Sequence, residues 1–111
     1  MIIRRAKKED AAQLKEPYFR HLTFSPPKEE QNMGKWAEAL ELFERSESYY
    51  LLVGEEEGNL VSFVTLVIIE NLTHNHRPYA VIENVVTHAS YKGRHYATVL
   101  MEEAAETARK H

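Results

Sequence analysis

The chain contains no cysteine. Disulfides, thiolate nucleophiles and cysteine-ligated metals are therefore excluded, and the composition suits a cytoplasmic protein. Glycine is scarce as well: Gly34, Gly54, Gly58 and Gly93 are the four present. Neither the P-loop pattern G-x-x-x-x-G-K-[ST] nor the dinucleotide fingerprint G-x-G-x-x-G can be built from them. An excess of positive charge is also missing. The formal net charge is −3, which argues against nucleic-acid binding through a basic face. The longest apolar run, Leu60 to Ile69, is interrupted by Ser62 and Thr65 and falls far short of the roughly 20 residues a membrane span needs. The N-terminus has no apolar signal-peptide region, so the sequon Asn71-Leu72-Thr73 has no glycosylation machinery to meet. Histidine is plentiful, with six residues. No H-E-x-x-H spacing or third ligand accompanies His74, His76, His88 or His95, so no metal site is expected. Repeats, low-complexity segments and linkers are absent.

What is present describes one small domain covering residues 1–111. An apolar fraction of 43% supports a modest core. Met1 to Lys7 reads as a short strand. Asp10 is placed to cap a helix, with Gln13 reaching back as in a capping box. Pro17 should end or kink that helix, and Tyr18, Phe19 and Leu22 continue its apolar stripe. Ser25-Pro26-Pro27 reads as the next helix start. Met33, Trp36, Leu40 and Phe43 then recur at helical spacing on one face, with Glu38, Glu41 and Glu44 on the solvated side.

Tyr49 to Val53 is a strand, and Glu55 to Asn59 a hairpin loop with Gly58-Asn59 as its turn. Leu60 to Ile69 should be buried on both faces and central in the sheet. Asn71 to Pro78 is a polar loop, Tyr79 to His88 an apolar strand, and Tyr96 to His111 a helix. The order is βααβββα, an α/β (α+β) arrangement.

The segment joining the last strand to the last helix carries the chemistry. Lys92 and Arg94 lie where the helix begins, beside Gly93. The macrodipole is already positive there, so cations at that end are unfavourable unless an anion joins them. Free N–H groups of the helix start, here residues 93–98, point to the same place. A strand, a glycine turn and a cation-flanked helix start together describe a phosphate-binding site.

Lys92-Gly93-Arg94-His95-Tyr96-Ala97 resembles the pyrophosphate loop of the GNAT N-acetyltransferases, Q/R-x-x-G-x-G/A. Tyr91-Lys92-Gly93-Arg94 is similar to the family's frequent Tyr-Arg-Gly-Arg/Lys. Glu83-Asn84-Val85-Val86-Thr87 is similar to the Glu-Asp-Val-x-Val strand end of many members, glucosamine-6-phosphate N-acetyltransferases among them. Two positions depart from the pattern. Lys92 replaces Gln or Arg and loses the planar fork. His95 replaces Gly, which a side chain can do if the backbone keeps right-handed helical angles.

The resemblance implies a mixed, mostly antiparallel sheet flanked by helices. On that pattern the chain runs through the pyrophosphate-loop helix and lacks the family's C-terminal strand, helix and strand pair, so that it carries half of an acyl-CoA cleft. The implied activity is direct transfer of acetyl from acetyl-CoA to a primary amine of a small-molecule acceptor, with no metal and no covalent intermediate. The implied donor site is Val85, Val86 and Thr87 through their backbone, with Lys92, Gly93, Arg94, His95, Tyr96, Ala97 and Thr98 at the diphosphate. Glu83 and Asn84 are the implied catalytic pair.

Glu83 would bind the acceptor or order a water that deprotonates the amine, with desolvation raising its pKa. Its equal alternative is a solvent-facing residue on an edge strand. Phe19, His21, Phe24, Asn71 and Tyr79 are the implied acceptor-pocket lining. The competing expectation is a non-catalytic, CoA-binding or structural piece that associates through an open sheet edge at residues 79–88. Either way that edge should favour a homodimer, and no nucleic-acid or membrane partner is expected.

Overall fold

A computed structural model describes residues 1–22, 32–91 and 93–111, and for residues 16, 18–22 and 89 it describes the backbone. Phe24, the Ser25-Pro26-Pro27 helix start and Lys92 lie outside the described residues, and Phe19 and His21 are described by backbone only.

The elements are β1 (Ile2–Arg5), a 3-10 turn (Lys8–Asp10), α1 (Ala11–Leu22), α2 (Met33–Arg45), β2 (Tyr49–Glu56), β3 (Asn59–Ile69), a single turn α3 (Thr73–His76), β4 (Tyr79–Thr87), a second 3-10 turn (Ala89–Tyr91) and α4 (Tyr96–Arg109). The strands form one sheet in the order β1-β2-β3-β4, with each neighbouring pair antiparallel. The βααβββα order and the antiparallel sheet flanked by helices are as the sequence pattern requires.

Strand alternation divides the core between two layers. Leu51, Val53 and Phe63 point to one face, where Leu14 of α1 and Leu40 of α2 cover them. Met33, Trp36 and Phe43 pack around the same cluster, which accounts for the apolar stripe of α2. Leu52, Val64, Leu66 and Ile68 point to the other face and meet Leu100 and Ala104 of α4. Residues 61–66 of β3 are all buried, as expected for the strand flanked by β2 and β4 and covered by helices on both faces.

Several local expectations are corrected. Of the end or kink expected at Pro17, the end is overturned, since α1 runs on to Leu22; a proline within a helix removes one backbone bond without forbidding continuation. Asp10 caps nothing ahead of itself. Its carboxylate reaches back to the Lys7 N–H at 2.7 Å and takes two bonds from the Arg4 guanidinium at 2.7 and 2.9 Å. Gln13 does not close a capping box. It reaches across to the hairpin, accepting from Leu60 N–H at 2.9 Å and donating to the Gly58 carbonyl at 3.4 Å. The described α2 starts at Met33, and its cap is Asn32, whose side chain accepts from Gly34 and Lys35 N–H.

The β2–β3 turn is centred on Glu57-Gly58 instead of Gly58-Asn59. Both residues have positive φ, 50° and 83°, as a two-residue type I′ turn demands. The polar 71–78 loop contains three successive positive-φ residues, His74, Asn75 and His76, and His76 pairs with Glu70 at 2.8 Å.

Candidate functional site

The site forms where β4 stops pairing regularly with β3 and the chain turns into α4. Thr65 is opposite Glu83, yet Phe63 is opposite Val86. One residue on β3 therefore faces two on β4, and Asn84 takes up the mismatch at φ 55°. This is a β-bulge, which re-aims the strand beyond it. Asn is among the few non-glycine residues that adopt this left-handed conformation readily. The re-aimed segment is pinned from β3, because Ser62 Oγ donates to the Val86 carbonyl at 2.8 Å and lies 3.1 Å from Thr87 Oγ1.

Among the described residues β4 is hydrogen-bonded to β3 alone. Its other edge leaves Tyr79, Ile82 and Val85 exposed. Glu83 is exposed and Asn84 half-buried, so the described residues do not desolvate the Glu83 carboxylate. Tyr79 lies at the far end of β4 from the bulge, and Asn71 bonds to Thr73 Oγ1 in its own loop at 2.7 Å.

Past the second 3-10 turn, Gly93 has φ 85° and His95 φ 61°. The expectation that His95 keeps right-handed helical angles is overturned: it caps α4 in the left-handed region, with no side-chain capping bond. A non-glycine residue pays roughly 1–2 kcal/mol for that conformation. The reversal is what brings the α4 N-terminus back toward the bulge. Its first backbone bond is Val99 N–H to the His95 carbonyl at 3.1 Å. The N–H groups of residues 96–98 precede that bond and are the free donors of a helix start.

Between bulge and helix start lies a cavity of about 380 Å³, within the range of ligand pockets, about 300–1,000 Å³. On the strand side it is lined by Val85, Val86 and Thr87, and on the loop and helix side by Gly93, His95, Tyr96 and Ala97. Seven of the residues singled out in the sequence therefore meet at one cavity. Tyr91 completes the lining; it belongs to the Tyr-Lys-Gly-Arg motif that was already visible.

Arg94 and Thr98 are exposed and outside the lining. The Arg94 guanidinium stacks 5.1 Å from the centre of the Tyr91 ring, and Tyr91 and Tyr96 lie 6.1 Å apart. Glu56 is a further neighbour that no sequence signal marked. It accepts from the Tyr96 hydroxyl at 3.1 Å and pairs with the Met1 ammonium at 2.9 Å. The Met1 ammonium first, and the Tyr96 hydroxyl second, hold its carboxyl below the usual carboxylate range, helped by the charge of Arg94.

The chemistry available is anion binding at a helix start, next to a strand segment whose backbone, among the described residues, is free on one side. Among the described residues no group of three His, Asp or Glu could hold a metal ion. No described helix is long and apolar enough to cross a membrane.

Comparison with known proteins places this geometry. The model of the acetyltransferase (GNAT) family matches residues 9–111. The fold is similar to that of a protein of Agrobacterium tumefaciens assigned to the acetyltransferases, with 34% identity and a TM-score of 0.84, covering 99% of this chain and 74% of that one. It is similar to glucosamine-6-phosphate N-acetyltransferase of Arabidopsis thaliana, at 17% identity and a TM-score of 0.80, over 98% of this chain and 74% of that one. It is also similar to ribosomal-protein-alanine N-acetyltransferase of Brucella melitensis, at 17% identity and a TM-score of 0.74, over 99% and 73% of the two chains. At that identity the last two share the fold alone. No functionally curated protein matches the chain in sequence.

Proposed function

The chain belongs to the GNAT acetyltransferase family, and from that premise we propose that it transfers acetyl from acetyl-CoA to the primary amine of a small molecule. The observation that carries this reading is the cavity between the bulged edge strand and the start of α4. It sets the free N–H donors of a helix start beside an extended backbone segment, and these suit the two parts of an acyl-CoA: an anion and an amide-bearing arm.

Acetyl-CoA would supply an acetyl thioester. The N–H groups at the start of α4, with Gly93 allowing the close turn and Arg94 adding charge, would hold its diphosphate. Lys92 is proposed for the same role. The backbone of Val85, Val86 and Thr87 would hold the pantetheine arm and thioester, with the N–H near Val86 donating to the developing oxyanion. Glu83, exposed beside the bulge, would take the proton of the acceptor ammonium, directly or through a water, so that a neutral amine attacks; Asn84 shapes the bulge that places it. Transfer is direct: the amine nitrogen bonds the acetyl carbon, the C–S bond breaks, and CoA leaves as the thiolate, which takes up the proton shed by the new amide nitrogen.

Calorimetry with CoA tests the donor site. The wild type should bind, and a Lys92→Glu, Arg94→Glu double variant should bind at least about tenfold more weakly, as expected when two cations beside a diphosphate are reversed. Equal affinities would overturn the assignment. A thiol-release assay with acetyl-CoA and a panel of small amines and peptides reports the acceptor class. Turnover confined to peptides would overturn the small-molecule reading.

We also propose a homodimer. The free edge of β4 exposes Tyr79 by 51%, Ile82 by 38% and Val85 by 39%, and an apolar edge strand favours pairing with a second copy. Light scattering should report two chains per particle, and Val85→Lys should shift it toward one. A monomer at high concentration would refute the dimer.

A further inference from the structure

Contacts from both sides of the cavity converge on Tyr91. Its N–H donates to the His88 carbonyl at 2.8 Å, which closes the turn leaving β4. His88, just past the strand, stands edge-on to its ring, with centres 6.0 Å apart and planes at 72°. Tyr96, the first residue of α4, lies 6.1 Å away with its ring tilted by 33°. Both separations fall within the favourable range for aromatic pairs, about 4.5–7 Å. The strand exit and the helix start therefore brace the Tyr91 ring together.

Arg94 has no such support of its own. It is exposed, and among the described residues no hydrogen bond or ion pair holds its guanidinium. Glu56 feels its charge, but that carboxylate accepts from the Tyr96 hydroxyl. What Arg94 does have is the Tyr91 ring, 5.1 Å from Cζ to the ring centre, inside the reach of a cation–π contact, about 6 Å. Gly93 makes the approach possible. Its φ of 85° lets the chain double back, so that the cation comes to lie over the ring. An added Cβ at Gly93 would meet nothing within 4 Å, so the glycine serves the turn's conformation and not clearance.

An aromatic ring engages a guanidinium through its face and leaves the N–H donors at its rim open to an anion. An arginine already held loses less freedom when the anion arrives than a loose one does. We infer that Tyr91 is a positioning residue whose ring holds Arg94 beside the cavity, so that the diphosphate meets a cation already in place. The inference rests on the acetyl-CoA reading given above. It assigns the effect to the ring and none of it to the hydroxyl.

Calorimetry with CoA tests it on Tyr91→Leu, Tyr91→Phe, Arg94→Ala and the Tyr91→Leu, Arg94→Ala double variant. Tyr91→Leu should bind CoA about two- to fivefold more weakly, the worth of a cation–π contact at an exposed site. Tyr91→Phe keeps the ring and should bind as the wild type does. Arg94→Ala should also bind more weakly, and adding Tyr91→Leu to it should cost nothing more, because the ring then has no cation to hold. A ring that merely shapes the cavity would give the same loss with and without Arg94. Wild-type affinity in Tyr91→Leu, a loss in Tyr91→Phe equal to that in Tyr91→Leu, or an undiminished Tyr91→Leu effect in the Arg94→Ala background would each overturn the inference.

Nuclear magnetic relaxation of the Arg94 Nε–H, read without ligand, decides the positioning independently. That side chain should be more mobile in Tyr91→Leu than in the wild type or Tyr91→Phe. Equal mobility in all three would overturn the hold whatever CoA does. If the wild type binds no CoA, the donor reading falls, and the relaxation still decides whether the ring holds Arg94.

Discussion

Ser62 Oγ donates to the carbonyl of Val86 across 2.8 Å in a buried position. Ser62 lies on β3 and is 2% exposed; Val86 lies just past the bulge on β4. A hydroxyl from the interior of the sheet therefore fixes the strand segment that forms one wall of the cavity. Ser62→Ala should cost about 1 kcal/mol of stability, the net worth of a typical hydrogen bond, and raise the KM for acetyl-CoA with little change in kcat. Denaturant unfolding and steady-state kinetics read the two effects. A stability loss with an unchanged KM would make the bond structural only.

Three residues along β3, the situation reverses. Among the described residues Thr65 Oγ1 is buried with no hydrogen-bond partner, and its residue is 1% exposed. An unsatisfied buried hydroxyl costs about 1–3 kcal/mol. Thr65→Val keeps the shape and the β-branching, so it should raise stability by about 1 kcal/mol. A midpoint in urea that falls instead of rising would contradict the buried orphan.

His95 is strained in a place where its family prefers glycine. His95→Gly should stabilise the chain by up to about 1 kcal/mol, the left-handed penalty less the extra entropy glycine loses on folding. His95→Val, β-branched and so least compatible with φ 61°, should destabilise it by more than that. Thermal melting of both variants checks the order Gly, His, Val.

Asp10 is 5% exposed and bound by Arg4 through two bonds. Burial alone would raise its pKa. The Arg4 hydrogen bonds, the Lys7 N–H and the charges of Arg4 and Lys7 outweigh burial and hold it below the usual range. A depressed folded pKa contributes stability that is present above the unfolded value, about 3.9, and is lost as pH falls through the lower folded value. Asp10→Ala should therefore cost about 2 kcal/mol at pH 7, discounted from a fully buried pair because Arg4 is partly exposed. The gap to wild type should narrow below about pH 4. A gap independent of pH would show that the ion pair is not its source.

Glu83→Gln tests the proposed base. It should lower kcat by about a hundredfold, the lower range for general acid–base catalysis, and leave CoA affinity unchanged. Retention of full kcat would remove Glu83 from the chemistry.

Much of the architecture was legible because it depends on each residue's own neighbourhood. The burial of β3 follows from an apolar run, and the α2 face from Met33, Trp36, Leu40 and Phe43 at helical spacing. The loop from Lys92 to Ala97 stood out as a candidate anion site because cations beside a helix start need an explanation that local electrostatics can supply. Even the hairpin was placed to within one residue by Gly58.

What the sequence by itself determined was the order of elements, the two apolar faces and the segment that carries the candidate site. What only the tertiary structure decided was geometry that depends on pairing between distant residues. The bulge at Asn84 exists because Phe63 and Thr65 on another strand leave one residue over. The left-handed turn at His95 is fixed by the need to return α4 to that bulge. Glu56 joins Tyr96 through space across 40 positions of chain, as Gln13 joins Leu60 across 47. Such contacts leave no periodic trace, because their energy belongs to a pair and neither residue's local pattern contains the other.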